Sequence, residues 1–203
     1  VNSSKIDTID FENLTFGNVF TDHMLLCEYK DGKWQKATIK PYEPFMIDPS
    51  AKVFHYGQAI FEGMKAYKDE NDDVWLFRPD ENFHRFNKSA SRMAMPEVPE
   101  DVFIGGLHKL LEIEKDWVKK GKGNSLYIRP FMIAMDEAIG VRASDTYKFI
   151  IFTMPVGPYY SKPVNLYAQD KYVRAVVGGV GEAKTAGNYA ASLYPANIAK
   201  SEG

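Results

Sequence analysis

Two stretches bracketed by proline and glycine set the firmest limit on what this chain can fold into. Pro79 opens the first, with Asp80 and Glu81 in its opening turn, and Pro96 and Pro99 close it after about Met95. Proline suits a first helical turn, and acidic residues there face the positive end of the helix dipole. Asp101 can cap the second, where Val102, Leu107, Leu110, Leu111, Ile113, Trp117 and Val118 make an apolar stripe. Lys119 and Lys120 fall in its last turn, and Gly121 stands as its C-cap.

Strand-like segments flank these two helices. Residues 24–29 and 34–39 surround Asp31-Gly32, a hairpin signal. A second pair runs over 59–67 and 74–77, joined by the charged turn 68–73. Residues 127–134 and 148–154 are apolar and β-rich, and read as strands of one sheet. Residues 1–22 read as irregular. The stretch GPYYSKP, 157–163, has linker chemistry. Beyond it, 165–168 and 172–177 read as new strands. A helix is expected from near Asn188 through Leu193, Ile198 and Ala199, with Pro195 crowding its start.

The expected class is therefore α+β or α/β. A complete N-terminal α/β domain spans 1–156, a linker 157–163, and an incomplete second domain 164–203, because about forty residues are few for a core of their own. Lys+Arg 25 against Asp+Glu 27 gives a net charge of −2, which argues against a dedicated nucleic-acid binder. Cys27 is the only cysteine, so an intrachain disulfide is excluded and a reducing compartment is expected. The first twenty residues lack the pattern of a signal peptide, and no apolar run reaches bilayer length. The expectation is a soluble cytoplasmic protein without a membrane partner.

Chemistry concentrates in residues 178–193, GGVGEAKTAGNYAASL. Lys184 sits among small residues, which allow close approach of a ligand, and Tyr189 follows five positions on. An amine in a confined, dry pocket has a lowered pKa and attacks carbonyls, as pyridoxal phosphate requires, and a phenol nearby can hydrogen-bond the cofactor's ring oxygen. In HYGQAIFEGMK, Tyr56 and Phe61 offer aromatic walls and Gly63 a place where a ligand touches the backbone. Strand alternation separates Tyr56 from Phe61 unless the chain bends at Gly57. Arg85, inside the first helix, can bind a phosphate bidentately. Arg129, in an apolar strand, needs a carboxylate or phosphate partner. His23, His55, His84 and His108 have no metal-ligand spacing, and neither a nucleophile triad nor a glycine-rich nucleotide loop is present.

HYGQAIFEGMKAY, FRPDENFHRF, YIRPFM and AKTAGNY, in this order, closely resemble the branched-chain amino acid aminotransferases, fold-type IV pyridoxal-phosphate enzymes. The resemblance runs from about Thr21 to the end. It implies that Lys184 is the Schiff-base lysine and moves the proton between substrate and cofactor. Arg85 would hold the phosphate and Tyr189 the ring hydroxyl. Tyr56, Phe61, Tyr127, Arg129 and Tyr159 would line the substrate pocket, with Arg129 receiving the side-chain carboxylate of glutamate. Val141 would enter the partner's site in a homodimer, and Tyr56 would cross in the same way. The implied reaction transfers the amino group of leucine, isoleucine or valine to 2-oxoglutarate. The alternatives are another fold-type IV enzyme, a D-amino acid transaminase or aminodeoxychorismate lyase, or a non-catalytic N-terminal fragment. Where many relatives have tryptophan before Gly157 this chain has Val156. Relatives also continue past the lysine, so a chain truncated at its C-terminus is expected, short of the acidic group that pairs with the pyridine nitrogen.

Overall fold

A computed structural model describes residues 4–158 and 163–202. Eight strands form one sheet. The first strand, β1 (His23–Lys30), pairs antiparallel with both β2 (Lys33–Trp34) and β3 (Thr38–Pro41). The turn joining β1 to β2 holds Asp31 at φ 54° and Gly32 at φ 71°, the two positive values a tight hairpin turn requires. After a short helix, α1 (Lys52–Tyr56), come β4 (Ala59–Phe61), β5 (Met64–Lys68) and β6 (Val74–Leu76). The anticipated strand 59–67 is thus two strands, broken at Glu62-Gly63. The start of HYGQAIFEGMK is helical, and Gly57, at φ 62°, caps α1 and supplies the bend.

Helix α2 (Pro79–Arg92) begins on its proline as expected and ends short of Ala94, which sits at φ 54°. A single wide turn over Asp101–Gly105 leads into α3 (Gly106–Glu114), and a 3₁₀ turn over Lys115–Trp117 follows. Helical structure therefore stops before Lys119, and Gly121 caps no helix. Ile113 is half exposed, against the anticipated stripe, because the buried positions 106, 107, 110, 111 and 114 define a different face. The long strands β7 (Ser125–Ala134) and β8 (Tyr147–Val156) pair along their whole length. The order β2-β1-β8-β7-β5-β6 is antiparallel at every pairing, the α+β form of the expected class.

Alternation along β7 and β8 divides the sheet into two faces. Leu126, Ile128 and Met132 share one face with Phe149 and Ile151, packed under α2 and α3. Three rings lock the layers together there. Phe86 of α2 lies 5.3 Å from Phe103 and 5.4 Å from Phe149, and Phe103 lies 5.5 Å from Phe149. The opposite face carries Tyr127, Arg129, Phe131 and Phe152, which are half-buried. Two further helices, α4 (Ala186–Ala190) and α5 (Leu193–Ser201), split the helix expected from 188 onward, and Pro195 falls in the first turn of α5, where it is tolerated. Residues 165–168 and 172–177 are not strands, since a strand requires a neighbour to pair with and the described residues offer them none.

Candidate active site around Lys184

The backbone of Lys184 is fixed from both sides. Its N–H donates to Ser89 Oγ at 2.9 Å, and its carbonyl accepts the Phe61 N–H at 3.0 Å. Thr185 donates its hydroxyl to the Ala59 carbonyl at 2.7 Å and bridges Ile60. The segment thus lies along β4 like a one-residue strand. Asn188 tightens it by donating to the carbonyls of Val180 and Ala183, at 3.0 and 2.8 Å.

Phe61 faces the open side of the sheet, because its register partner is Phe131, whereas Ile60 points into the core. The Phe61 ring is a floor shared by three groups. Lys184 Nζ lies 4.7 Å from its centroid, the Arg129 guanidinium 4.6 Å, and the Tyr189 ring 4.8 Å. Cation–ring contacts of this kind hold a charged group without neutralising it. Lys184 Nζ donates a hydrogen bond to Tyr189 Oη at 2.8 Å. Burial pushes the Tyr189 phenol up, but the hydrogen bond and charge of Lys184, helped by Arg174, outweigh it and leave the phenol below its usual range. Lys184 is half-buried rather than enclosed in a dry pocket.

Tyr127 and Arg129 stand two apart on β7 and so share a face. Arg129 Nη2 donates to Tyr127 Oη at 2.9 Å. Arg129 Nε is buried without a hydrogen-bond partner among the described residues. Gly63 has no room for a ligand at its Cα, because a Cβ there would overlap the Tyr127 hydroxyl. Gly63 is needed for side-chain packing instead.

Arg85 lies on the edge of the same region. It is paired with Glu62, Nε to Oε1 at 2.6 Å and Nη2 to Oε2 at 2.8 Å. The hydrogen bond to Glu62 raises the Arg85 pKa, against the effect of burial. Glu62 is fully buried, while 54% of the Arg85 side chain remains exposed, so the guanidinium presents an open edge. Asn82, Arg85, Ser89 and Arg92 recur at helical spacing and make one stripe of α2. Asn82 also holds Glu62, Ser89 holds Lys184, and Arg92 Nη2 reaches the carbonyls of Gly178 and Gly179 at 3.2 and 3.1 Å.

Tyr56 and Val141 form a separate cluster. Tyr56 Oη accepts the Gly140 N–H at 2.7 Å, and Lys52 Nζ donates to the Gly140 carbonyl, also at 2.7 Å. Val141 is 93% exposed on the loop so held. Among the described residues, no hydrogen bond or ring contact joins this cluster to Lys184. Tyr159 lies outside the described residues. Glu62, Asn82, Ser89 and Arg174 were not anticipated from sequence. Glu62 and Arg174 carried the same signal as Arg129, a charge inside an apolar β-rich stretch. Neither Asn82 nor Ser89 carried any. Among the described residues no cluster of metal-ligating side chains occurs, and no helix is long and apolar enough to cross a membrane.

Branched-chain-amino-acid transaminase 1 of Bacillus subtilis is 54% identical over 189 residues, covering 91% of this chain and 53% of that protein. Over most of its length the chain is similar in sequence to branched-chain amino acid aminotransferases. It spans about half the length of the curated relatives it matches. No protein-family model matches it. Among solved structures, a branched-chain aminotransferase from Thermoproteus uzoniensis with norvaline matches with a TM-score of 0.65 at 23% identity, over 89% of this chain and 57% of that one. An aminotransferase from Brucella abortus bound to PLP matches with a TM-score of 0.60 at 17% identity, over 88% and 59%. The shared fold is the fold-type IV aminotransferase fold, of which the chain carries the antiparallel sheet and its helices.

Proposed function

We propose that the protein to which this chain belongs is a branched-chain amino acid transaminase, moving the amino group of leucine, isoleucine or valine to 2-oxoglutarate with pyridoxal phosphate. The observation that carries the reading is the amine–phenol pair, Lys184 Nζ to Tyr189 Oη at 2.8 Å, seated on the Phe61 ring. The donor set fits the cofactor. An amine and an acidified phenol stand side by side, and the open edge of Arg85 offers a dianion a fixed cation. When bound, pyridoxal phosphate supplies an aldehyde for covalent attachment and an electron sink at the substrate Cα.

The chain's own residues then have these roles. Lys184 Nζ takes the proton from the amino acid Cα and would deliver it to the cofactor carbon that carried the aldehyde, as an amine within hydrogen-bond reach of a polarising phenol can. Tyr189 Oη, drawn down by Lys184 and Arg174, hydrogen-bonds the cofactor's ring oxygen. Arg85 binds the phosphate. Phe61 and Tyr159 pack the branched side chain, and Tyr56 and Val141 complete the apolar wall from a second copy in a homodimer. Arg129, whose buried Nε lacks a hydrogen-bond partner among the described residues, receives the second carboxylate of glutamate with Tyr127. Residues 1–156 and 164–203 belong to two domains joined at 157–163, so that Lys184 comes from the second and its walls from the first. The protein is cytoplasmic and acts on small molecules without nucleic acid or membrane partners.

The test is a substrate panel on the full-length protein. Leucine, isoleucine and valine turn over with 2-oxoglutarate, D-alanine does not, and Lys184→Ala abolishes turnover. Turnover of D-alanine without any of the three would place the protein elsewhere in the fold. Full activity of Lys184→Ala would remove Lys184 from the reaction.

A further inference from the structure

The pairing of Arg85 with a fully buried carboxylate is not required by any role given to Arg85 so far. Both carboxylate oxygens of Glu62 accept hydrogen bonds, four in all. Oε1 accepts Arg85 Nε at 2.6 Å, and Oε2 accepts Arg85 Nη2 at 2.8 Å, Asn82 Nδ2 at 2.8 Å and the Gly63 N–H at 3.2 Å. A carboxylate withdrawn from water this completely is costly unless each lone pair is met by a donor. The set is also aimed. Glu62 directly follows Phe61, the last residue of β4, and its side chain is held by Asn82 and Arg85 of α2. Phe61 floors the site while Glu62 reaches the stripe of α2. Glu62 takes the Nε/Nη2 edge of the guanidinium, and the Nη1 edge makes no hydrogen bond among the described residues.

We infer that Glu62 is a positioning residue, which locks Arg85 by one edge of its guanidinium so that the other edge stands ready as a fixed fork for a phosphate group. This deepens the reading of Arg85 as the phosphate-binding group and rests on it. A free arginine side chain is ordered only when an anion arrives, at an entropic cost that weakens binding. Here the ordering is completed when the chain folds. The opposite effect of Glu62 is electrostatic, since its charge opposes that of the incoming phosphate. The two effects have different signs on removal of the charge, and an experiment separates them.

The measurement is the ratio of dissociation constants for pyridoxal over pyridoxal phosphate, by titration calorimetry on the full-length protein. This ratio isolates the phosphate increment and needs no turnover. Glu62→Gln is expected to reduce it about fivefold to tenfold. Arg85→Lys, which keeps the charge and loses the fork, is expected to reduce it to the same level. The double variant is expected to lie no lower, because the two residues act through one contact. An unchanged or increased ratio in Glu62→Gln, with wild type showing a phosphate increment, overturns the positioning role and leaves Arg85 as the phosphate group. If Glu62→Gln fails to fold, Arg85→Lys decides: a wild-type ratio in that variant shows that charge alone suffices and overturns the inference. A wild-type protein that binds both ligands equally overturns the inference and removes Arg85 from the proposed site, while borohydride trapping at Lys184 still tests the amine.

Discussion

Tyr189 accepts a hydrogen bond from Lys184 at 2.8 Å, and its phenol is held below its usual range by that contact. Replacing it leaves the amine without its polar neighbour. A hydrogen bond to a charged group is worth about 1.5–3 kcal/mol, so Tyr189→Phe is expected to slow turnover about tenfold or more. Steady-state rates with leucine check this, and an unchanged rate contradicts the role given to Tyr189. At the scale of single residues the sequence was most legible where chemistry is unusual. Lys184 stood out among glycine, alanine and threonine, and Arg129 as a charge inside an apolar strand. Glu62 carried the same signal but was read only as part of a motif. Ser89 was invisible, because serine on a helix is ordinary and its partner, the Lys184 N–H, lies 95 positions away.

Helix α2 does two jobs with two stripes. Phe83, Phe86 and Ala90 pack on the core, while Asn82, Arg85, Ser89 and Arg92 hold Glu62 and the segment 178–184. Its start was legible from Pro79 and its acidic first turn, but its polar stripe was not, since polar residues at helical spacing usually face water. The anticipated strands at 165–168 and 172–177 failed for a related reason. Local β-propensity is satisfied only by a partner strand, and propensity does not name the partner. The loop after β7 has its own anchor. Asp136 accepts from the N–H groups of Asp145 and Thr146, from the Thr146 hydroxyl, and pairs with Arg142. Burial pushes its carboxyl up, yet these donors outweigh burial and hold it below the ordinary 3.8. A carboxylate so depressed in the folded state stabilises fully above its unfolded pKa, and that contribution is lost as pH falls through the folded value. Asp136→Asn is therefore expected to cost roughly 1–3 kcal/mol at pH 7. The gap to wild type should close as the pH drops below 3.8, as denaturant titrations at several pH values will show. A gap that stays constant down to acid contradicts the anchoring role.

At the scale of the whole molecule, two faces of one antiparallel sheet divide the work. One is sealed by α2 and α3, and the other keeps Phe61, Tyr127 and Arg129 accessible beneath Lys184. The α+β class and most of the main strands were legible, because alternation, the Asp-Gly turn and the proline boundaries are local signals. The convergence of Lys184, Arg85 and Phe61 was not a local signal. It was carried by four ordered motifs, and the structure explains it by Ser89 and the bridge between Thr185 and Ile60. Tyr56 and Val141 lie together but away from this cluster, as residues directed to a second copy would. The central claim is that Lys184 is the amine of a pyridoxal-phosphate site. Incubation of the 203-residue chain with pyridoxal phosphate, borohydride reduction and peptide mapping tests it most directly. The account predicts a visible absorption band and a reduced adduct concentrated on Lys184, lost in Lys184→Ala. Labelling spread evenly over the surface lysines, unchanged in that variant, would contradict it.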